Sequence, residues 1–245
     1  MTDDVDWQPG IVFTHTLSLT LDDKAQEILQ SIRDQLMAVG VPVLHQPAHI
    51  TVAAVSTMEG VDSHLVDVGW PERITLTKSC RLPNSDGVVG LCPHDPTSSD
   101  PVTIFDTSSE GEPELCSAPP SVGSFRALTC LPEDLRRPHE LLHRRLAAAG
   151  VIAFNYYGPR WWNPHVTMGY QVPPELQGRA VRIVAGVGSL EVGVAGVSVW
   201  RVGDGHTYRL WPWLGGENRR SHVPSDFPRH CGLSRASPPG CGPRR

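Results

Sequence analysis

Two separated stretches of the chain run through the same order of elements. Residues 11–21, IVFTHTLSLTL, alternate as a strand does. DDKAQEILQSIRDQLMAVG (22–40) follows with helical spacing at Ile28, Ile32, Leu36 and Val39, and Gly40-Val41 leads to a strand from Ala48 to Val55. Far along the chain, SFRALTCL (124–131) reads as a strand and PEDLRRPHELLHRRLAAAG (132–150) as a helix with Leu135, Leu142 and Leu146 on its apolar side. Gly150-Val151 then leads to NPHVTMGY, Asn163–Tyr170, a strand again. Asp22 or Asp23 can cap the first helix, both glycines are natural helix stops, and Pro138 is expected to kink or restart the second helix. An order of elements that recurs in this way is the mark of a duplicated supersecondary unit.

Each copy ends on a strand carrying the same triplet. Pro47-Ala48-His49-Ile50-Thr51-Val52 matches Pro164-His165-Val166-Thr167-Met168 in residue type. Alternation puts His49 and Thr51 on one face of their strand with Ile50 and Val52 on the other, and it does the same for His165 and Thr167 against Val166 and Met168. Elsewhere, His45 has no such threonine, and His15 and His206 are followed directly by theirs, on the wrong face. Two histidines meeting across a cleft, one neutral and one protonated near pH 7, can act as general base and general acid. Two threonine hydroxyls beside them can donate to the non-bridging oxygens of a phosphate. The pattern therefore points to phosphodiester hydrolysis without a metal or other cofactor.

These motifs make the chain similar to the 2H phosphoesterase superfamily, which includes the 2'-5' RNA ligase or RNA 2',3'-cyclic phosphodiesterase proteins and is named for two His-x-Thr/Ser-x motifs. The resemblance covers about residues 11–214. It implies an α+β, duplicated two-lobed fold, with two antiparallel sheets and outer helices around a central cleft. It also implies opening of a 2',3'-cyclic phosphate, on an RNA terminus or a small nucleotide, to a 2'-phosphate. His49 and His165 would be acid and base, and Thr51 and Thr167 would hold the phosphate. The fourth motif position is Val52 in one copy and Met168 in the other, where the family more often has Leu or Phe. On this reading residues 1–215 form one bilobal domain, with lobe one over about 11–82 and lobe two over about 124–214.

The rest of the chain is less regular. Residues 83–123 are crowded with Pro, Ser, Asp and Gly and read as a polar excursion containing one strand, VTIFD. LEVGVAGVSVWRV (190–202) and TYRLWPWL (207–214) suggest a closing hairpin, and 216–245 reads as a disordered basic tail. That tail holds six arginines against Glu217 and Asp226, so the body is more acidic than the net charge of −5 suggests. An acidic body is a poor platform for long nucleic acid, although it can still recognise a single phosphate or a short end. No apolar run is long enough to span a bilayer and MTDDVDWQPG lacks a secretory pattern, so the expectation is a cytoplasmic monomer that does not engage membranes. The six cysteines show no Cys-x-x-Cys pair and are expected to be reduced thiols.

Two further features bear on the site. Tyr157, Arg160 and Trp162 lie in an aromatic loop before His165 and are candidate substrate contacts by base stacking and phosphate pairing, although such rings commonly fill a seam; Arg209 is a further candidate phosphate partner. His139-Glu140-Leu141-Leu142-His143 matches H-E-x-x-H, in which two histidines one helical turn apart bind zinc and the glutamate activates water. No third ligand follows at the usual spacing and Pro138 precedes the first histidine, so an exposed helix with incidental histidines is the favoured reading. A zinc-dependent hydrolase and a non-catalytic module that binds nucleotides or RNA ends are the alternatives to the two-histidine enzyme.

Overall fold

The computed structural model describes residues 11–82, 87–93, 131–203 and 205–211. β1 (His15–Leu21) leads into α1 (Asp23–Ala38) and β2 (His49–Val55), and a short helix α2 (Ser63–Val66) precedes β3 (Arg73–Arg81) and β4 (Val89–Pro93). Then come α3 (Glu133–Ala148), a 3₁₀ turn over Asn155–Tyr157, β5 (Val166–Gly169), α4 (Pro174–Ala185), β6 (Leu190–Arg201) and β7 (Thr207–Trp211). The fold is α+β, with a seven-stranded antiparallel sheet and four helices among the described residues. No helix among them is long and apolar enough to cross a membrane.

The strands neighbour one another in the order β1-β2-β5-β4-β3-β6-β7, and β1 also pairs with β6, so the first six close into a ring. One sheet thus replaces the two separate sheets expected from sequence. The cause is β6, whose first residues, Leu190 to Gly193, pair with β3 while Val194 to Arg201 pair with β1. The expected closing hairpin is present, with Ser198 opposite Arg209.

β4 is a second correction. Val89–Pro93 falls inside the stretch read as a polar excursion, yet all five residues are buried between β3 and β5. VTIFD, most of SFRALTCL and the basic tail lie outside the described residues. Pairing of β3 with β4 also sets Cys80 and Cys92 diagonally on one face, and they form a disulfide with Cα atoms 6.4 Å apart. That pair is therefore oxidised rather than reduced. The other four cysteines lie outside the described residues.

The helices follow their apolar spacing closely. The Asp22 carboxylate accepts from the Ala25 amide at 2.8 Å and caps α1, and Gly40 takes φ +82° just beyond its end. The buried face of α1 is Ala25, Leu29, Ile32, Arg33 and Leu36, rotated slightly from the expected stripe, so that Ile28 and Val39 are only partly buried. α3 runs unbroken through Pro138, which is itself buried, so the proline neither restarts the helix nor ends it. Leu135, Leu142 and Leu146 pack into the core as expected.

Candidate active site

β2 and β5 are neighbours in the sheet, antiparallel, with Ile50 directly opposite Val166. Opposite residues share a face and successive residues alternate. Ile50, Val52, Val166 and Met168 are accordingly fully buried, whereas His49, Thr51, His165 and Thr167 are each partly exposed. Continuing the register by one residue on either side sets His49 opposite Thr167 and Thr51 opposite His165. The two triplets, 116 residues apart in sequence, thus form one four-residue group.

Both imidazoles are held in the same way. His49 Nδ1 lies 2.8 Å from the Pro47 carbonyl, and His165 Nδ1 lies 2.8 Å from the Asn163 carbonyl. A carbonyl can only accept, so Nδ1 carries the hydrogen in each ring and the lone pair of the neutral form sits on Nε2. Burial pushes His165 down to about 4 against the opposing bond to Asn163, with the neighbouring His49 adding to the fall. Burial also lowers His49, opposed by the Pro47 carbonyl and reinforced by the Arg33 charge. Both shifts run toward the neutral ring, whereas the sequence pattern led to the expectation of one neutral and one protonated ring.

Polar groups continue across the sheet from this centre. Thr20 lies opposite His49 and Ser18 opposite Thr51. Ser198 in turn lies opposite Ser18, and the exposed Arg209 opposite Ser198. The Thr20 and Ser198 hydroxyls are 2.6 Å apart. On the other side Gly90 lies opposite Thr167 and Cys80 opposite Gly90. A Cβ on Gly90 would stand 2.9 Å from the Val166 carbonyl oxygen and 3.4 Å from the His165 Cβ, so glycine is what lets β4 approach the second motif.

Three side chains secure the motif strands. Arg33, 3 % exposed, donates to the Gln46 carbonyl at 2.5 Å and to the Thr167 carbonyl at 2.9 Å. Trp162, 2 % exposed, donates from Nε1 to the Thr51 carbonyl at 2.8 Å and stacks on His139 at 3.7 Å. Trp162 therefore braces the first motif rather than meeting a ligand, because its ring has no face open to one. Tyr157 packs against the core in a cluster with Phe154 and Tyr156, and burial pushes its phenol up to about 12. Arg160 is exposed and lies 5.1 Å over the Trp161 ring.

The H-E-x-x-H histidines have a structural role. His139 is 1 % exposed, and His139 Nε2 and His143 Nε2 lie 3.0 Å and 3.1 Å from the Val52 carbonyl oxygen. Both Nε2 atoms therefore carry hydrogens, and Glu140 pairs with Arg136 at 2.7 Å instead of turning toward them. A zinc ion could not take the Nε2 positions of these rings, which are committed to the Val52 carbonyl. Burial lowers His139 to about 3, with His143 adding to the fall, and burial lowers His143 as well. The reading of an exposed helix with incidental histidines is thus corrected, since His139 is a core residue that supports β2.

Sequence reading missed Arg33, the disulfide and β4. Arg33 had a visible signal, a cation placed between Leu29 and Leu36 on the face that must be buried. No family model matches the chain, and no curated protein matches it either.

Proposed function

We propose that this protein is a metal-independent phosphodiesterase that opens 2',3'-cyclic phosphates, on RNA ends or nucleotides, to 2'-phosphates. The observation that carries this reading is the identical anchoring of two imidazoles on directly paired strands, each with Nε2 left for chemistry and a threonine hydroxyl beside it. A water attacks phosphorus as one Nε2 takes its proton, the bond from phosphorus to O3' breaks, and the other ring, protonated, delivers a proton to that oxygen. Thr51 and Thr167 donate to the non-bridging oxygens, whose charge grows in the transition state. Each ring's charge opposes protonation of the other, so the pair takes up one proton before two, which is the state acid–base catalysis needs. An arriving phosphate anion favours that uptake.

The duplicated, two-lobed arrangement belongs to the same proposal. Aligning Gly40-Val41 on Gly150-Val151 places Arg33 at His143 and Leu29 at His139. Arg33 reaches a carbonyl of the second motif, and His143 reaches a carbonyl of the first. Such reciprocal bracing supports descent of both halves from one unit, and with it the resemblance to the 2H phosphoesterases.

The test is incubation of a nucleoside 2',3'-cyclic phosphate with the protein in excess EDTA. Accumulation of the 2'-phosphate supports the proposal. A requirement for zinc would reject it, as would binding without turnover, which would indicate a recognition module.

A further inference from the structure

We propose that Arg33 is a positioning residue that couples the two His-x-Thr motifs, fixing their spacing and holding a permanent positive charge beside them; the inference rests on the reading of the two histidines as the catalytic centre. Arg33 projects from the buried face of α1, and its two terminal nitrogens bridge different halves of the site. One donates to the carbonyl of Gln46, three residues before His49, and the other to the carbonyl of Thr167 itself. A planar guanidinium holds its donors in a fixed fork, so one rigid group sets the distance between the segments that carry the motifs.

The site of this cation is chemically unusual. Its partners are neutral carbonyls, no carboxylate forms an ion pair with it among the described residues, and its Nε is buried without a hydrogen-bond partner. A leucine or methionine could fill the same face at less desolvation cost, so packing alone does not account for an arginine here. An uncompensated charge acts on whatever titrates nearby. The groups around His49 are Arg33 from α1, His165 and Thr167 from β5, Thr20 from β1, and, at Val52 on its own strand, His139 and His143 from α3, both themselves lowered by burial. Arg33 is the permanent charge in that set. It disfavours protonation of His49, and its charge favours an anion at the site.

The test uses the full chain with ring-labelled histidine, titrated by NMR as wild type, Arg33→Gln and Arg33→Lys, with thermal melts as a fold control. In Arg33→Gln the His49 titration should move to higher pH, and turnover of the cyclic phosphate should fall about 100-fold through loss of alignment. Arg33→Lys keeps the charge and loses the fork, so its His49 titration should stay near wild type while turnover still falls. A role in packing alone would lower the melting temperature of both variants and leave the His49 titration of both unchanged, and that result would overturn the proposal. If Arg33→Gln does not fold, a His49 titration in Arg33→Lys displaced as far as a charge loss would displace it overturns the electrostatic claim. Because the NMR titration needs no activity, a wild type that turns over nothing refutes the functional reading separately.

Discussion

Acid should destabilise this protein through its buried rings, and replacing one of them, His139, should remove a distinct share of the effect. His139 is 1 % exposed and held at about 3, so the folded protein resists protonating it over a range in which the unfolded chain accepts the proton readily. A base whose folded pKa is depressed contributes stability that is complete above its unfolded value, near 6.5, and is lost as pH falls toward its folded one. One pKa unit corresponds to about 1.4 kcal/mol, so the His139 contribution falls by about 3 kcal/mol between pH 7 and pH 4. That is a large share of the roughly 5–15 kcal/mol that hold a typical domain folded. His139→Leu places at this position the residue type that α1 carries at Leu29. At pH 7 the variant should be less stable by about 1 kcal/mol, because one bond to the Val52 carbonyl is lost while His143 keeps the other. At pH 4 the order should reverse, with the variant about 2 kcal/mol more stable than wild type. Urea unfolding at both pH values, followed by tryptophan fluorescence, measures the two differences. Parallel pH dependence in wild type and variant would refute the reasoning and move acid sensitivity to the other lowered histidines.

Gly90→Ala should damage the site without touching any group proposed to do chemistry: the added methyl meets the Val166 carbonyl oxygen at 2.9 Å, and β4 must back away from the second motif. Turnover should drop about 100-fold while binding of a 2'-phosphate weakens less, and wild-type kinetics from a folded variant would contradict the close approach. Reducing Cys80–Cys92 should lower stability by about 3 kcal/mol, the chain-entropy figure for a loop this short. Melting with and without a phosphine reductant measures that change, and an unchanged melting temperature would show that the paired strands already restrain these ends.

The parts legible in the sequence are those where one local pattern fixes the outcome. Alternation placed His49 and Thr51 opposite to Ile50 and Val52, and the buried and exposed residues fall in that order. The Asp22 cap and the glycine stop bounded α1 for similarly local reasons. What escaped was decided by pairing across long separations. Val89–Pro93 is too short a strand to stand out among Asn84-Ser85-Asp86 and Pro93-His94-Asp95, and it exists because β3 and β5 flank it. Cys80 and Cys92 have no recognisable spacing, and their proximity is a product of that same pairing. Trp162 and His139 had two readings in sequence because aromatic rings and imidazoles serve both packing and chemistry, and only burial and hydrogen-bond partners separate the two uses. In each histidine pair the N–H directions decide the matter. His49 and His165 each give Nδ1–H to a nearby backbone carbonyl and keep Nε2 for chemistry, while His139 and His143 spend Nε2–H on one carbonyl of the core.

The central claim is that His49 and His165 act as one acid–base pair, and single-residue kinetics test it most directly. The measurement is kcat for a nucleoside 2',3'-cyclic phosphate in EDTA, for wild type, His49→Ala, His165→Ala and the double variant, with circular dichroism confirming the fold of each. Groups that work as a unit are not additive, so each single variant should lose several orders of magnitude and the double variant hardly more. Activity retained in either single variant, or losses that multiply in the double one, would contradict the account.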